Sequence, residues 1–421
     1  MRILVVGSGA REHALATYLA QSPQVEVHCA PGNAGMATSF PTYRINPTHA
    51  DEVVALAVEI DAALVVIGPE APLVAGVADA LTVAGIAVFG PTAAAAQLEA
   101  SKSFAKEVMH AAGVPTAAAR SCRSMDQVQA AMDEFGSPYV IKDDGLAAGK
   151  GVVVTGDQDV ARTHAAGCLA GPTGLVVVED YLAGPEISLL AVTDGTTVRA
   201  LAPAQDFKRL RDGDQGPNTG GMGSYSPLPW APADVVERAV QQVLQPVVNH
   251  MAERGTPFCG ALFAGLALTA QGLQVIEFNA RFGDPETQSV LARLETPLHE
   301  VLYAAATSNL HLVAPLRWRP ECAVTVVMAA AGYPDAPQSG AVVSGLEDVE
   351  QATVFHAGTL RSATGDIVVA GGRVLAVTAL GADLDQARQR AYRAVDCVRF
   401  EGEQHRSDIA LSAARGEVKV P

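Results

Sequence analysis

The chain reads Val275-Ile276-Glu277-Phe278-Asn279-Ala280-Arg281-Phe282-Gly283-Asp284-Pro285-Glu286 where a strand is predicted to end and a helix to begin. The first half of this stretch is rich in β-formers and lies between glycines, which favours a strand. Successive side chains of a strand point to opposite faces. We therefore expect Glu277, Asn279 and Arg281 to share one polar face, with Ile276 and Phe278 together on the apolar face behind it.

This polar face predicts a site for a metal ion and an anion. Two hard oxygen donors, Glu277 and Asn279, suit a Mg²⁺ that keeps some water and binds nucleotide phosphates. Arg281 suits a carboxylate or a phosphate. Asp284 and Pro285 predict a helix N-cap followed by proline at the first helical position. The competing interpretation is an exposed polar face on an edge strand, although an asparagine in mid-strand is disfavoured without a specific role.

Length and composition restrict the class of protein. The 421 residues are enough for about two to four domains. The net charge of −16 argues against a general nucleic-acid or anionic-membrane surface. The cysteines are far apart and form no CxxC pair, so neither a disulfide framework nor a zinc site is expected. No apolar run approaches the roughly 20 residues of a membrane span, and no signal peptide is predicted. We expect a soluble, cytoplasmic protein.

The first 90 residues alternate strand and helix patterns. Apolar strands are predicted over 3–6, 25–28, 64–67 and 86–89, each followed by a loop that contains glycine. This alternation predicts a doubly wound parallel sheet, with ligands at the carboxyl ends of its strands. Gly7-Ser8-Gly9 begins like a dinucleotide fingerprint, but Glu12 replaces the third glycine, which disfavours NAD. A tight turn and a phosphate held by backbone N–H groups remain equally open for this loop.

A glycine-rich hairpin follows the strand that ends at Lys142. Gly145 to Gly151 lies between two strands and lacks the Walker A form, so we expect a flap over phosphates. Lys142 stands where it can reach an α- or β-phosphate. The segment 179–182 joins two predicted sheets, where backbone groups can pair with an adenine edge, and Glu186 can accept ribose hydroxyls. Taken alone, each of these acids is more often a surface residue, and only the neighbouring motifs favour a binding role.

A long glycine-rich loop is predicted over 211–224, between Asp206 to Lys208 on one side and the glycines of 218–223 on the other. Ordering such a loop costs entropy, so we expect an anionic ligand to order it, with a disordered insertion as the alternative. Predicted strands over 322–330, 353–357, 367–370 and 373–379 and a helix over 383–399 indicate a C-terminal, mainly antiparallel unit.

In this order and spacing the motifs resemble the ATP-grasp superfamily, and within it the glycinamide ribonucleotide synthetase family. The resemblance runs from Met1 to about Leu411. It is carried by GSGAREHAL at 7–15, PGNAG at 31–35, GPEAPL at 68–73, GLAAGKG at 145–151, GPNTGGMG at 216–223 and the stretch at 275–286.

The resemblance implies a multidomain fold of α/β and α+β type. An N-terminal doubly wound parallel sheet that binds substrate would occupy 1–100. A central ATP-grasp fold of two α+β subdomains would occupy 101–320, with a small flap subdomain at about 118–185, and a mainly antiparallel α+β domain would occupy 321–421. The implied activity is an ATP-dependent C–N ligase that joins glycine to 5-phosphoribosylamine through glycyl phosphate in purine biosynthesis. Another ATP-grasp carboxylate–amine ligase or a carboxylase is the alternative.

The resemblance and the layout of the motifs also imply roles for individual residues. Lys142 and Arg281 are the implied catalytic residues, and Glu277 and Asn279 would hold Mg²⁺ or Mn²⁺. No nucleic-acid or membrane partner is expected, and the chain should be a monomer or a weak homodimer. The implied ATP contacts are Lys102, Lys142, Gly145, Gly149, Gly151, Glu179, Tyr181, Leu182 and Glu186. The implied substrate contacts are Gly9, Asn33, Asp206, Lys208, Asn218, Thr219, Gly220 and Arg281.

Overall fold

The computed structural model describes residues 1–146 and 151–421, and its N-terminal part is built on a parallel sheet. The elements are β1 (Arg2–Gly7), α1 (Ala10–Leu19), β2 (Glu26–Pro31), α2 (Met36–Ser39), α3 (Ala50–Glu59), β3 (Leu64–Ile67), α4 (Glu70–Val74), α5 (Val77–Val83) and β4 (Val88–Phe89). The strands pair in parallel in the order β2-β1-β3-β4. This confirms the predicted doubly wound parallel sheet.

The central part begins with a small antiparallel sheet. Its elements are α6 (Gln97–Ala100), α7 (Lys102–Ala111), β5 (Ala119–Cys122), α8 (Met125–Phe135), β6 (Tyr139–Asp143), β7 (Val152–Thr155), α9 (Gln158–Leu169) and β8 (Val176–Glu179). The strands pair in the order β5-β8-β6-β7, which we call the small sheet. The helices α8 and α9 cover one face of it with a separate apolar core.

A larger antiparallel sheet follows. The elements are β9 (Glu186–Asp194), β10 (Val198–Ala200), β11 (Gln205–Asp206), β12 (Arg209–Arg211), β13 (Gln215–Asn218), β14 (Gly223–Ser226), α10 (Val235–Ala239), α11 (Gln245–Glu253), β15 (Cys259–Thr269), β16 (Gly272–Asn279), α12 (Glu286–Leu291) and α13 (Leu298–Ala306). A π-helical segment, Val240–Leu244, joins α10 to α11. Strands β10, β9, β15 and β16, paired in that order, form what we call the large sheet.

The C-terminal part is mainly antiparallel, as predicted. Its elements are β17 (Cys322–Ala329), β18 (Thr353–His356), β19 (Thr359–Arg361), β20 (Ile367–Val369), β21 (Arg373–Gly381), α14 (Leu384–Cys397) and α15 (Leu411–Ala414). The main sheet has the order β11-β14-β17-β21-β18, so it includes two strands that precede residue 321. The domain boundaries drawn from the sequence stay predictions. Among the described residues, no helix is long and apolar enough to cross a membrane.

A bulge in β16 overturns one prediction. Gly265 pairs with Glu277 and Leu266 pairs with Val275, so Ile276 is an extra residue without a partner on β15. Such a bulge shifts the alternation of side chains along the strand. The buried apolar residues behind the polar face are therefore Val275 and Phe278, which are 0% and 2% exposed, rather than Ile276 with Phe278. Glu277 and Asn279, two residues apart beyond the bulge, still share a face.

Residues 211–224 do not form the single loop predicted from the sequence. Strands β12 and β13 form a hairpin closed by a 3₁₀ turn over Asp212–Asp214, and β14 enters the C-terminal sheet. Protein contacts hold this hairpin, because the Arg406 guanidinium pairs with Asp214. Glycines permit tight turns equally well in hairpins and in loops, which explains the error.

The start of α12 also differs from the prediction. The helix begins at Glu286, and Pro285 is the N-cap instead of the first helical residue. The Asp284 carboxylate accepts hydrogen bonds from Gln288 Nε2 at 2.8 Å and from Arg373 at 3.1 Å. The Asp284 carboxylate therefore forms an ion pair with the C-terminal part and does not cap the helix.

Two buried histidines join α1 to the C-terminal sheet. The backbone N–H of His356 donates to His13 Nδ1 at 2.9 Å. Asn33 Nδ2 donates to the His356 carbonyl oxygen at 2.7 Å. Burial, more than the mutual repulsion of the rings, lowers the pKa of His13 to about 3, and burial lowers the pKa of His356 to about 4. The contact between α1 and the C-terminal sheet is therefore most stable when the His13 and His356 rings are neutral.

His13→Asn should make the stability of the protein less sensitive to acid. The pKa of His13 is about 3 in the folded chain against an ordinary 6.5, so the stability linked to its neutral ring is complete above pH 6.5 and is lost as the pH falls toward 3. One unit below 6.5 this loss is about 1.4 kcal/mol. Asparagine keeps an acceptor oxygen but binds no proton. The free energy of unfolding, measured by denaturant titration at about pH 7.5 and 5.5, should fall less in the variant. Exposed His110→Asn is the matched control, and an unchanged pH dependence in His13→Asn would contradict the prediction.

Candidate active site

The polar end of β16 lies among lysines from three different elements. Glu277 Oε1 is 3.9 Å from Lys208 Nζ. Burial raises the pKa of Glu277, but Lys208, Lys142 and Lys102 together outweigh burial and hold that pKa below its usual value. The carboxylate is therefore ionised at neutral pH, and the surrounding positive charge favours a polyanionic ligand.

Glu277 and Asn279 have the chemistry that a hard metal ion requires. Asn279 Nδ2 donates to the Phe278 carbonyl oxygen at 3.1 Å, so the amide is oriented and Oδ1 is the atom that a cation would use. Within residues 1–146 and 151–421, no group of three or more histidine, cysteine or acidic side chains is arranged to hold a metal. A metal at Glu277 would complete its shell with phosphate and water, as Mg²⁺ commonly does.

Glu179 binds one buried lysine and one half-buried lysine with a single oxygen. Its Oε2 is 3.0 Å from Lys142 Nζ and 3.1 Å from Lys106 Nζ. Lys142 also donates at 2.9 Å to the carbonyl oxygen of Ile276, the bulge residue. Lys142 thus links the small sheet to the large sheet beside Glu277. Because the Glu179 carboxylate is occupied, a contact of this residue with adenine would use its main chain.

Lys106 is a site residue that the sequence reasoning missed. It follows Lys102 by four residues on α7, and this spacing places two side chains on one helix face. Lys106 Nζ donates to the Thr116 hydroxyl at 2.9 Å and to the Ala117 carbonyl oxygen at 3.0 Å. Burial lowers the pKa of Lys106 to about 8, although Glu179 opposes that shift.

The ends of the predicted glycine flap are fixed near α7. Lys102 Nζ donates to the Gly145 carbonyl oxygen at 3.1 Å. The Asp144 carboxylate accepts from the Ser103 backbone N–H at 2.6 Å. The Gly151 carbonyl oxygen accepts from the Asp143 N–H at 2.7 Å. The predicted contact at Gly149 lies outside the described residues.

The segment 180–185 connects β8 to β9 and contains the predicted adenine contacts. Tyr181 is 45% exposed and Leu182 is partly exposed, so both lie on an accessible connection. Glu186, at the start of β9, is 2.7 Å from Lys208 Nζ. The structure therefore brings Glu186, Lys208 and Glu277 together.

Asp206 carries a buried oxygen without a partner. Among the described residues, none forms a hydrogen bond with its Oδ1. Burial, with a further contribution from Glu286, raises the pKa of Asp206 well above its usual value, against the effect of Lys208 and Arg373. Glu286 is itself buried and accepts from the Ser188 hydroxyl at 3.0 Å. A cationic donor would satisfy the Asp206 oxygen, because unpaired buried acceptors are costly.

The predicted substrate loop bonds to three parts of the molecule. Asn218 Nδ2 donates to the Val152 carbonyl oxygen on β7 at 3.1 Å. The Thr219 hydroxyl donates to the Lys208 carbonyl oxygen at 2.9 Å. The Gly220 N–H donates to the Tyr333 hydroxyl at 2.9 Å. Residues 218–220 are thereby held between the small sheet and the C-terminal part.

Arg281 reaches from the end of β16 to acids that precede the small sheet. Its Nε is 3.3 Å from Glu70 Oε2, and its Nη2 is 3.1 Å from Glu99 Oε1. Its Nη1 donates to the Phe282 carbonyl oxygen at 3.1 Å. Glu99 is buried and accepts from the Ala280 N–H at 2.7 Å with its other oxygen. A guanidinium has five N–H groups, so two of those on Arg281 remain for a ligand.

Arg373 is a second residue that the sequence did not signal. It comes from β21 and donates to the Asp284 carbonyl oxygen at 2.7 Å and to Oδ2 at 3.1 Å. It also donates to the Gly220 carbonyl oxygen. A lone arginine at the start of a strand has no local pattern that would identify it. Arg373 brings the C-terminal part into the candidate site.

Gly9 and Asn33 are engaged within the protein. The Gly9 N–H, which was predicted to face phosphate, donates to Glu12 Oε2 at 2.7 Å. Asn33 Nδ2 donates to the Ser8 carbonyl oxygen at 2.9 Å and its Oδ1 accepts from the Met36 N–H at 3.0 Å. Their roles in substrate binding stay predictions.

Known families and structures match this architecture along the whole chain. Models of the phosphoribosylglycinamide synthetase N domain, ATP-grasp (A) domain and C domain match residues 1–99, 100–287 and 323–412. Phosphoribosylamine–glycine ligase of Streptomyces coelicolor is 59% identical over 98% of this chain and 100% of its own length. The enzyme of that name from Mycobacterium leprae is 53% identical over the full length of both chains.

Two solved structures extend the comparison. The crystal structure of phosphoribosylamine–glycine ligase from Thermotoga maritima has a TM-score of 0.84 and 32% identity, covering 97% of this chain and all of that one. The biotin carboxylase domain of the Hydrogenobacter thermophilus 2-oxoglutarate carboxylase, in complex with MgADP, ADP and bicarbonate, has a TM-score of 0.72 and 17% identity over 96% of this chain and 91% of that one. The second likeness is one of fold.

Glu179→Gln should destabilise the protein strongly. The change leaves Lys142 and Lys106 without their shared charge, and breaking a buried pair typically costs about 3–5 kcal/mol. Thermal unfolding followed by circular dichroism at neutral pH would measure the loss. Glu134→Gln is the matched control, because it removes an exposed pair with Arg120 and should change little. Equal melting temperatures for the two variants would contradict the prediction.

Proposed function

Because the chain belongs to the phosphoribosylglycinamide synthetase family, we propose that it joins glycine to 5-phosphoribosylamine with cleavage of ATP to ADP and phosphate. The product is glycinamide ribonucleotide, an intermediate of de novo purine biosynthesis. The observation that carries the proposal is the setting of Glu277, which lies 3.9 Å from Lys208 Nζ and follows Ile276, whose carbonyl oxygen accepts from Lys142 at 2.9 Å. This arrangement suits phosphates and a phosphate-bound metal on one face of β16.

The chemistry follows from the poor reactivity of a carboxylate as an acyl donor. A carboxylate oxygen of glycine attacks the γ-phosphorus of ATP, ADP leaves, and glycyl phosphate forms. The amine nitrogen of phosphoribosylamine then attacks the acyl carbon, loses a proton, and displaces phosphate to leave the amide. The protein positions the reactants and neutralises charge, and no covalent enzyme nucleophile is needed.

The residues around the small sheet would bind ATP. Lys142, which donates to Glu179 and to the Ile276 carbonyl oxygen, and Lys102, which donates to the Gly145 carbonyl oxygen, would meet the phosphates. The main chain of 179–182 would receive the adenine and Glu186 the ribose, while 145–151 would cover the phosphates. Glu277 and Asn279 would hold Mg²⁺ or Mn²⁺, which when bound neutralises phosphate charge.

The two ends of glycine call for opposite partners. The two remaining N–H groups of Arg281 suit the glycine carboxylate or its acyl phosphate. Asp206 Oδ1, buried and unpaired among the described residues, suits the glycine ammonium. Lys208 and residues 218–220 lie beside these groups and complete the substrate site, with Gly9 and Asn33 toward the phosphoribosyl group.

The proposed setting is the cytoplasm, with the chain as a monomer or a weak homodimer. The net charge of −16 supports a protein without nucleic-acid or anionic-membrane partners. Small molecules are then the partners that the site serves.

ADP release should require glycine and phosphoribosylamine together. The purified chain would be assayed for ADP with each substrate omitted in turn, and the product would be identified by mass spectrometry. Bicarbonate in place of glycine distinguishes the ligase from an ATP-grasp carboxylase. Turnover with bicarbonate, or full ADP release without the amine, would reject the proposed function.

Glu277→Gln and Asn279→Ala should each lower kcat by at least about 100-fold, because they remove the oxygens that hold metal and phosphate charge. The circular dichroism spectrum should stay that of the wild type, since both side chains lie at the surface of the site. Gln274→Ala, on the same strand, is the matched control. Wild-type rates in both variants, at limiting as well as at saturating Mg²⁺, would show that this face does not hold the metal.

A further inference from the structure

The hairpin of β12 and β13 has no core of its own. Residues 211–217 are exposed throughout, and an isolated two-stranded hairpin is at best marginally stable in water. Both of its ends nevertheless belong to the candidate site, because Lys208 precedes β12 and Asn218 ends β13. A contact outside the hairpin must therefore fix its position.

Arg406, between α14 and α15, supplies this contact. Its side chain is 1% exposed, and its Nη1 donates to Asp214 Oδ1 at 2.7 Å and to the Arg209 carbonyl oxygen at 3.1 Å. Its Nε and Nη2 each donate to Asp408 at 2.7 Å. The guanidinium also lies 4.8 Å from the centre of the Phe207 ring. A planar group held on every edge and stacked on a ring has one orientation.

The residues that follow Arg406 bind the turn of the hairpin as well. The Gly213 N–H donates to Asp408 Oδ2 at 2.8 Å. The Ser407 N–H donates to Asp212 Oδ1 at 2.8 Å. We call Arg406, Ser407 and Asp408 with Asp212 and Asp214 the latch. It fastens the exposed end of the hairpin to the C-terminal part.

The hairpin carries this attachment to the candidate site. The Thr219 N–H donates to the Lys208 carbonyl oxygen at 2.8 Å, which closes the base of the hairpin. Beyond that base, Lys208 Nζ is 2.7 Å from Glu186 and 3.9 Å from Glu277. Asn218 donates to Val152, on the strand that follows the predicted flap. A shift of the hairpin would therefore displace Lys208. It would also weaken the hydrogen bond from Asn218 to Val152, which joins the hairpin to the small sheet.

We propose that Arg406 is a positioning residue for the ligation. It touches no reactant, and through the latch it sets where Lys208 and residues 218–220 stand relative to Glu277. This inference rests on the ligase function proposed above. The latch should govern kcat and the KM for glycine. The KM for ATP should change less, through the contact of Lys208 with Glu186, because Lys102 and Lys142 lie on other elements.

The test compares Arg406→Gln, Asp214→Asn and the double variant with the wild type. Asp214→Asn removes the charge that pairs with Arg406 on the hairpin side, and because Asp214 is 69% exposed, the change carries little risk to folding. Exposed Arg415→Gln is the matched control for loss of an arginine near the C-terminus. Trypsin supplies a readout that needs no substrate, because Arg209 and Arg211 lie in β12 and should be cut faster when the hairpin detaches. The cut site would be identified by mass spectrometry.

The expected result is a fall of at least about tenfold in kcat over KM for glycine in both single variants, with faster cleavage in the hairpin. The double variant should be no worse than the more impaired single variant, because both changes break one contact. Arg406→Lys should recover part of the rate. Wild-type cleavage and kinetics in Asp214→Asn would overturn the proposal, even if Arg406→Gln fails to fold. If the wild type does not ligate glycine, the proposed function is wrong. The rates of tryptic cleavage in the hairpin would still show whether Arg406 and Asp214 hold it in place.

Discussion

The bulge at Ile276 is the constraint on which the site depends. It leaves Ile276 without a register partner on β15, and Lys142 of the small sheet donates to the carbonyl oxygen of this residue. The same bulge sets the direction of Glu277 and Asn279. Opposite Glu277 stands Gly265, where a Cβ would come within 3.3 Å of the Glu277 side chain. The bulge residue Ile276 thus connects the small sheet to the large sheet and determines the face on which Glu277 and Asn279 lie.

Charge pairing across distant parts of the chain maintains this arrangement. Glu179 is shared by two lysines, Arg281 binds acids from α4 and α6, and Arg373 holds Asp284 from the C-terminal sheet. Buried charges persist only where a partner offsets their desolvation. Asp206 is one exception among the described residues, since its Oδ1 is buried and unpaired, as is Oε2 of Glu403. A buried acceptor oxygen without a hydrogen-bond donor is the feature expected of a site that binds a cationic ligand.

Sequence patterns predicted much of this molecule because the underlying signals are local. The apolar runs and glycine turns of the first 90 residues identified the parallel sheet. The spacing of Glu277 and Asn279 placed two oxygen donors on one face. The patterns failed where geometry depends on a partner strand, as at the Ile276 bulge, or where glycines fit two structures, as in the 209–218 hairpin. Lys106 could have been found from its four-residue spacing to Lys102, whereas Arg373 offered no such signal.

The sequence by itself determined the types of residue at the site and the elements that carry them, because periodicity and turn chemistry act over a few neighbours. It determined that a carboxylate, an amide and an arginine end one strand, and that a lysine precedes a glycine-rich turn. Tertiary structure alone decided which charge meets which. Arg281 and Glu70 are 211 residues apart in the chain, and Arg406 and Asp214 are 192 apart. The packing of the sheets and the cost of leaving a buried charge unpaired decide which residues form such pairs. A local sequence pattern contains no information about either of them.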